Sequence, residues 1–210
     1  MVRKKHIPHL IIVLFHIVGL YGFLTPELSS LFITLVPFHL LLMLFILIFS
    51  GYDKSVNILV FAGIVYSAGF LIEVAGVNSG LIFGEYSYGN TLGVKLWNTP
   101  LLIGVNWLIL VYSTGILLEK YRLNRFVFAF AGAVILVFID FLIEPVAVKY
   151  DYWSWSGGSI PNQNYVGWFV ISFCLFLVFF AINFKKQNSA SIVLLIAQAC
   201  FFMVLNIWGT

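Results

Sequence analysis

The residues of this chain best suited to chemistry are three carboxylic acids set in apolar runs: Glu73 in SAGFLIEVAG, and Asp140 and Glu144 in VFIDFLIEPVA. Asp140 and Glu144 are four residues apart, which in a helix puts them on one face about one turn apart, able to act on one ligand. A charged side chain inside a bilayer is costly unless it meets a cavity or a partner. With no Lys or Arg expected at the same depth, burial and mutual repulsion are expected to keep at least one acid protonated near neutrality. A protonated acid beside an ionised one is equipped for proton transfer, the first as donor and the second as base or cation stabiliser. The competing reading is that the three acids only pair with Asn, Tyr or Trp donors across helices, or meet water at the interface. Pro145, directly after Glu144, is expected to perturb the last helical turn and open backbone groups to the site.

The elements that hold these acids follow from composition. Of 210 residues, 62% are hydrophobic and 9% charged, with a mean hydropathy of +1.05. So few charges cannot cover a surface in water, which excludes a soluble globular fold. Seven stretches are long and apolar enough to cross the bilayer, near 7–24, 31–49, 57–76, 100–118, 126–147, 165–184 and 190–208. The expected fold is all-α: a polytopic membrane helical bundle forming a single integral membrane domain over 1–210, multi-pass in the cell membrane. The first stretch follows Arg3, Lys4 and Lys5 and lacks a small-x-small cleavage site, so it is expected to remain as a helix.

Basic residues set the direction. Arg3, Lys4, Lys5, Lys54, Lys120, Arg122, Arg125, Lys185 and Lys186 fall on one side of a seven-span arrangement, and Lys95 and Lys149 on the other. The N-terminus is therefore expected in the cytoplasm. This placement also explains the net charge of +3 without a nucleic-acid partner. Cys174 and Cys200 lie in apolar runs and suggest packing rather than a disulfide. The long connections 77–99 and 148–164 then face outward. Their Gly, Asn, Tyr and Trp content suggests ordered loops folded over the outer mouth of the bundle.

Polar and aromatic residues at similar depth outline a cavity: Asn106 and Trp107 in the fourth stretch, Asn164, Tyr165 and Trp168 at the start of the sixth, and Asn206 near the end of the seventh. An intramembrane Asn often only joins helices, and Trp107 and Trp168 also suit interfacial anchoring. Tyr86, Tyr88, Trp153 and Trp155 suit a lid or belt over that cavity better than chemistry. PLLIGVNW and PNQNYVGW share Pro, Val and Trp at one spacing, each after a helix ending near a glutamate and a Tyr-rich loop, a weak sign of a parallel repeat. His6, His9, His16 and His39 are too scattered to suggest a metal site, and Glu85 reads as a loop residue. No Walker, Rossmann, HExxH or GxSxG signature is present. The seventh stretch has no lysine for a retinal Schiff base. The apolar inner halves of the helices show no continuous polar path for a channel.

Residues 69–107, GFLIEVAGVNSGLIFGEYSYGNTLGVKLWNTPLLIGVNW, together with DFLIEPVAVKYDYWSW and PNQNYVGW in 140–168, resemble the CruF-type membrane carotenoid 1,2-hydratases of the carotenoid biosynthesis proteins. The resemblance covers about half of the chain. It implies addition of water across the terminal C1=C2 bond of an acyclic carotenoid end group, giving a tertiary 1-hydroxy product without metal or other cofactor. Such chemistry needs an acid, a shielded cation pocket and limited water. Asp140 or Glu144 is expected to donate the proton, and the other carboxylate or Glu73 to stabilise the cation and orient water. Trp107 or Trp168 is expected to add cation-π stabilisation. Tyr86, Trp97, Asn106 and Asn164 complete the expected substrate-binding set. Lycopene, a monocyclic carotene or a C50 precursor are the candidate substrates, the bilayer is the solvent, and other carotenoid-pathway enzymes are candidate partners. End-group cyclisation, or carotenoid binding or transport without chemistry, are the alternatives.

The orientation is tested by replacing Cys174 and Cys200 with serine and adding single cysteines. Gly157→Cys is expected to react with a membrane-impermeant maleimide on intact cells, and Leu123→Cys only after permeabilisation. The reverse pattern would invert the topology.

Overall fold

In the computed structural model, which describes residues 6–51 and 53–209, the apolar stretches form seven helices. They are α1 (Ile7–Leu24), α2 (Pro26–Ser50), α3 (Val56–Ser79), α4 (Leu101–Leu118), α5 (Arg125–Lys149), α6 (Asn162–Ala181) and α7 (Ser189–Trp208). Each is long and apolar enough to cross a membrane, and the chain is a multi-pass membrane helical bundle. Arg3, Lys4 and Lys5, which carry part of the orientation argument, lie outside the described residues.

Local chemistry sets the helix ends. α2 starts earlier than the hydropathy pattern indicates, because Pro26 is tolerated in a first turn and Glu27 complements the positive end of the helix. The Asn124 side chain accepts from the backbone of Phe126 and Val127 to cap α5, and Asn188 caps α7 through Ala190. α6 begins directly after Pro161, about one turn before its expected start. Pro145 does not end α5, which continues to Lys149. The Asn206 side chain, expected at the cavity, instead donates to Leu142 O at 2.7 Å and joins α7 to α5.

α4 is the central post of the bundle, packed against α2, α3, α5, α6 and α7. At one end the short loops are stitched together. Asp53 accepts from the backbone of Ser55 and Lys185, and Asn57 donates to Asn183 O. Asn188 donates to Leu47 O, and Lys186 pairs with Glu119. The backbone hydrogen bonds from Lys185 and Ser55 hold the Asp53 carboxyl below its ordinary range.

At the opposite end the two long connections contain short strands that hydropathy alone leaves as loops. β1 (Tyr86–Tyr88) pairs antiparallel with β4 (Trp153–Trp155), and β2 (Lys95–Leu96) with β3 (Thr99–Pro100). The β2–β3 turn is made by Trp97 and Asn98, both at positive φ (52° and 65°), the backbone that tight two-residue hairpins require. Further bonds tie the loops together, among them Gly89 N to Tyr152 O, Ser156 N to Glu85 O and Thr91 Oγ1 to Tyr150 O.

Close approach of α3 to α4 rests on Gly69, where a Cβ would lie 2.6 Å from the Cβ of the fully buried Trp107. Gly69→Ala gains up to about 1 kcal/mol of helix propensity. The overpacking against the root of a Trp side chain costs about 1–3 kcal/mol. This variant is expected to melt below wild type in detergent. Gly63→Ala, at a position of the same helix with nothing within 4 Å of its Cβ, is expected to melt no lower.

Candidate functional site

Gly69, Glu73 and Gly76 recur at helical spacing and share one face of α3, so the acid is flanked above and below by positions without side chains. Trp107 packs at Gly69, while Phe83 and Tyr86 lie over Gly76. Glu73, 3% exposed, thereby receives three donors. Its Oε2 accepts from the Tyr86 hydroxyl at 2.6 Å and the Tyr88 hydroxyl at 2.7 Å, and its Oε1 from Trp107 Nε1 at 2.9 Å. Burial first, and then the nearby Glu73 charge, push the Tyr86 and Tyr88 phenols far above their ordinary range. Both therefore remain donors at physiological pH.

The second acid has a parallel arrangement on α5. Glu144 Oε2 accepts from Trp153 Nε1 at 3.0 Å and Trp155 Nε1 at 2.9 Å, and its Oε1 from Asn164 Nδ2 at 3.0 Å. The same amide gives its other hydrogen to Asp140 Oδ2 at 2.7 Å. Asn164, at the start of α6, therefore clamps the two carboxyls that helical spacing puts on one face. Asp140 is fully buried, and its Oδ1 has no hydrogen-bond partner among the described residues.

The strand pair delivers four of these donors. Tyr86 stands opposite Trp155 and Tyr88 opposite Trp153, while Ser87 faces Ser154. Alternation along each strand sends the four aromatics to the buried face and both serines outward. Beneath this roof the Trp107 and Trp168 rings stack at 4.1 Å. A cavity of about 20 Å³ lies between Glu73, Glu144, Asn164 and Trp168, roofed by the same aromatics. That is enough room for one water molecule, which needs at least about 10–15 Å³. An ionised carboxylate has about four acceptor positions. Three are used on each glutamate, leaving capacity on both Oε1 atoms for a ligand.

A larger groove of about 310 Å³ adjoins it, enclosed by residues of α1, α2, α4, α5 and α7. Its walls are almost wholly apolar, including Phe23, Phe32, Val36, Leu40, Ile143 and Phe201. Its rim includes Phe15 and Val18 of α1 and Phe38 of α2, which are exposed on the lipid-facing surface. Ile103 and Trp153 line both spaces, so the end of the groove meets the acid cluster.

The structure brings together Glu73, Asp140, Glu144, Tyr86, Trp107, Asn164 and Trp168. It places Asn106 in the groove, away from the carboxyls. Trp97 stands 60% exposed at the hairpin turn, outside the cluster, because its positive φ serves the turn. Tyr88, Trp153 and Trp155, expected as a lid or belt, are direct partners of the acids. The signal for them was the alternation YSY and WSW, which is a strand pattern with one buried face. The expected alternative pairing of the acids with Asn, Tyr and Trp donors is present. The one-water cavity and the unpartnered Asp140 oxygen lie beyond it. Among the described residues no group of three His, Cys, Asp or Glu is arranged to hold a metal ion.

Residues 29–210 match a family described as carotenoid biosynthesis protein. The chain is 29% identical over 140 residues to the bisanhydrobacterioruberin hydratase of Haloarcula japonica. That match covers 63% of this chain and 47% of the relative, so the chain spans about half the length of the curated relative it matches. No solved structure matches the chain.

Hydrogen bonds to charged groups are worth about 1.5–3 kcal/mol each. Trp153→Phe and Trp155→Phe, which keep a ring but remove the N–H to Glu144, are each expected to lower stability by about that amount. Ser154→Ala, on the outward face between them, is expected to change it by less than about 0.5 kcal/mol. Thermal melts in detergent check both.

Proposed function

Because this chain belongs to the carotenoid biosynthesis protein family, we propose that it is a carotenoid hydratase, a hydro-lyase of the cell membrane that adds water to the terminal C1=C2 bond of a linear carotenoid. The observation that carries this reading is the one-water cavity between Glu73 and Glu144, at the end of an apolar groove open toward lipid. The name of the Haloarcula relative supports the same class of reaction.

In this reading the polyene lies in the groove with its isopropylidene end at Ile103 and Trp153. Glu144 gives its proton to C2, forming the C2–H bond and leaving a tertiary cation at C1. The faces of Trp153 and Trp168 and the two carboxyl groups stabilise that charge in a dry site. Water held between the glutamates attacks C1 and forms the C–O bond as Glu73 takes its proton. Glu73 then holds a proton and Glu144 has lost one, and transfer back through the next water resets the pair. Asp140, linked to Glu144 through the Asn164 amide that donates to both, acts as a positioning residue. The tight aromatic roof limits water, which favours addition of a single molecule.

Expression in a lycopene-producing host, with chromatography and mass spectrometry of the pigments, tests this. The wild-type chain is expected to give a pigment heavier by 18 mass units. Glu144→Gln and Glu73→Gln are expected to reduce its yield by about 10²–10⁴-fold, the range for a lost general acid or base. Asp140→Asn is expected to reduce it less and to shift the pH profile in isolated membranes. A product of unchanged mass would point to cyclisation. Full yield from both glutamine variants in folded protein would refute the acid mechanism.

A further inference from the structure

Apart from Asn106 of α4 and the loop residue Tyr152, the large groove is apolar except at one cluster of side chains. His16 of α1, His39 of α2 and Gln198 of α7 line it together. The His16 and His39 rings meet edge to face at 4.9 Å. Gln198 is 8% exposed, and its Oε1 is buried without a hydrogen-bond partner among the described residues. His16 is 5% exposed, and its Nδ1 lies 2.7 Å from Ile12 O. A carbonyl can only accept, so Nδ1 carries the hydrogen and Nε2 of the neutral ring is an acceptor. Gln198 Oε1 thus stands as a buried acceptor in a hydrocarbon-like space, with the His16 ring, whose Nε2 is a second acceptor, in the same lining. A polar amide buried without a partner costs about 1–3 kcal/mol. A ligand that donates a hydrogen bond there removes that cost.

The station is distinct from the acid cluster. His16 and Gln198 lie nine residues into α1 and α7, helices that start at the stitched-loop end. Glu73 lies seventeen residues into α3, which starts at the same end. At 1.5 Å of rise per residue the two sites are separated by roughly 12 Å along the bundle. The two spaces are neighbours, since the side chains of Ile103 and Trp153 line both.

We infer that Gln198 and His16 form a hydroxyl-recognition subsite, so that the groove selects a linear isoprenoid already carrying a hydroxyl group roughly 12 Å from the end that meets the acids. The subsite stands on the groove and its buried acceptors. Its part in choosing a substrate for hydration rests on the function proposed above. Binding at this point fixes how far the chain can slide, and so places the terminal double bond at Glu144.

The test uses the purified full chain in lipid nanodiscs and titration by quenching of tryptophan fluorescence, to which Trp153 in the groove wall contributes. The probes are a linear fifteen-carbon isoprenoid alcohol and its parent hydrocarbon, which share the terminal isopropylidene group and differ only in the hydroxyl. Wild type is expected to bind the alcohol about three- to tenfold more tightly, the value of one net hydrogen bond. Gln198→Leu is expected to bring the two affinities within about twofold, leave the hydrocarbon bound at least as tightly, and melt no lower than wild type, because it removes an unpartnered amide. His16→Phe is expected to narrow the preference in the same direction. Equal binding of both probes by wild type, or an unchanged preference in Gln198→Leu, would overturn the subsite. The readout needs no turnover. A hydroxyl preference in a protein that hydrates neither lycopene nor a linear carotenoid already carrying a hydroxyl group would therefore retain the subsite and reject the hydratase reading, and the opposite result would do the reverse.

Discussion

The cost of placing carboxyl groups in a hydrocarbon solvent governs this structure. Three acids sit in the C-terminal halves of α3 and α5, and each needs hydrogen-bond donors that bulk water does not supply. The donors come from aromatic side chains and one amide. Indole N–H groups can only donate, and the buried tyrosines are held in their donating form, so Glu73 and Glu144 each have three of about four acceptor positions filled, and the open one on Glu144 Oε1 can carry a proton. The two long loops are thus part of the acid cluster and not only connections between the spans.

This requirement accounts for the small sheet. A strand sends alternate side chains to one face, so two three-residue strands paired in register can aim four ring donors into a space a few ångströms across. Glycines on α3 and the central α4 bring helix backbones close enough for Trp107 to reach the same acid. Asn164 joins the two α5 carboxyls with a single amide. The result is a rigid polar chamber with room for about one water, enclosed by aromatic faces, at the end of a groove suited to an apolar chain. Rigid donors and limited water are what cation chemistry in a membrane requires.

In the proposed function the groove and the chamber divide recognition from reaction. Apolar walls hold a chain without fixing its register, because dispersion and hydrophobic contacts are non-directional. Register needs a directional contact. In the inference drawn above, the buried Gln198 Oε1 provides one inside the groove, beside the His16 ring.

Hydropathy alone determined the seven helices, because a bilayer-spanning run of apolar residues has no other stable conformation. The helical spacing of Asp140 and Glu144 likewise put them on one face before any contact was known. Intramembrane acids and Asn164, being costly there, identified most of the cluster. Sequence was silent on contacts that depend on distant pairing. Tyr88, Trp153 and Trp155 read as a lid, and they do roof the cavity, but their hydrogen bonds to the acids exist only because residues 86–88 meet 153–155 across the chain. Trp97 and Asn106 read as substrate-binding residues from position alone. The hairpin turn holds Trp97 outside the acid cluster, while Asn106 lines the groove beside it. The His16–Gln198 station was equally invisible, since it joins α1 and α7 from opposite ends of the chain. Which residues are apolar is a property of composition and period. Which donor meets which acceptor depends on close approach between segments far apart in sequence, and only the tertiary structure decides that.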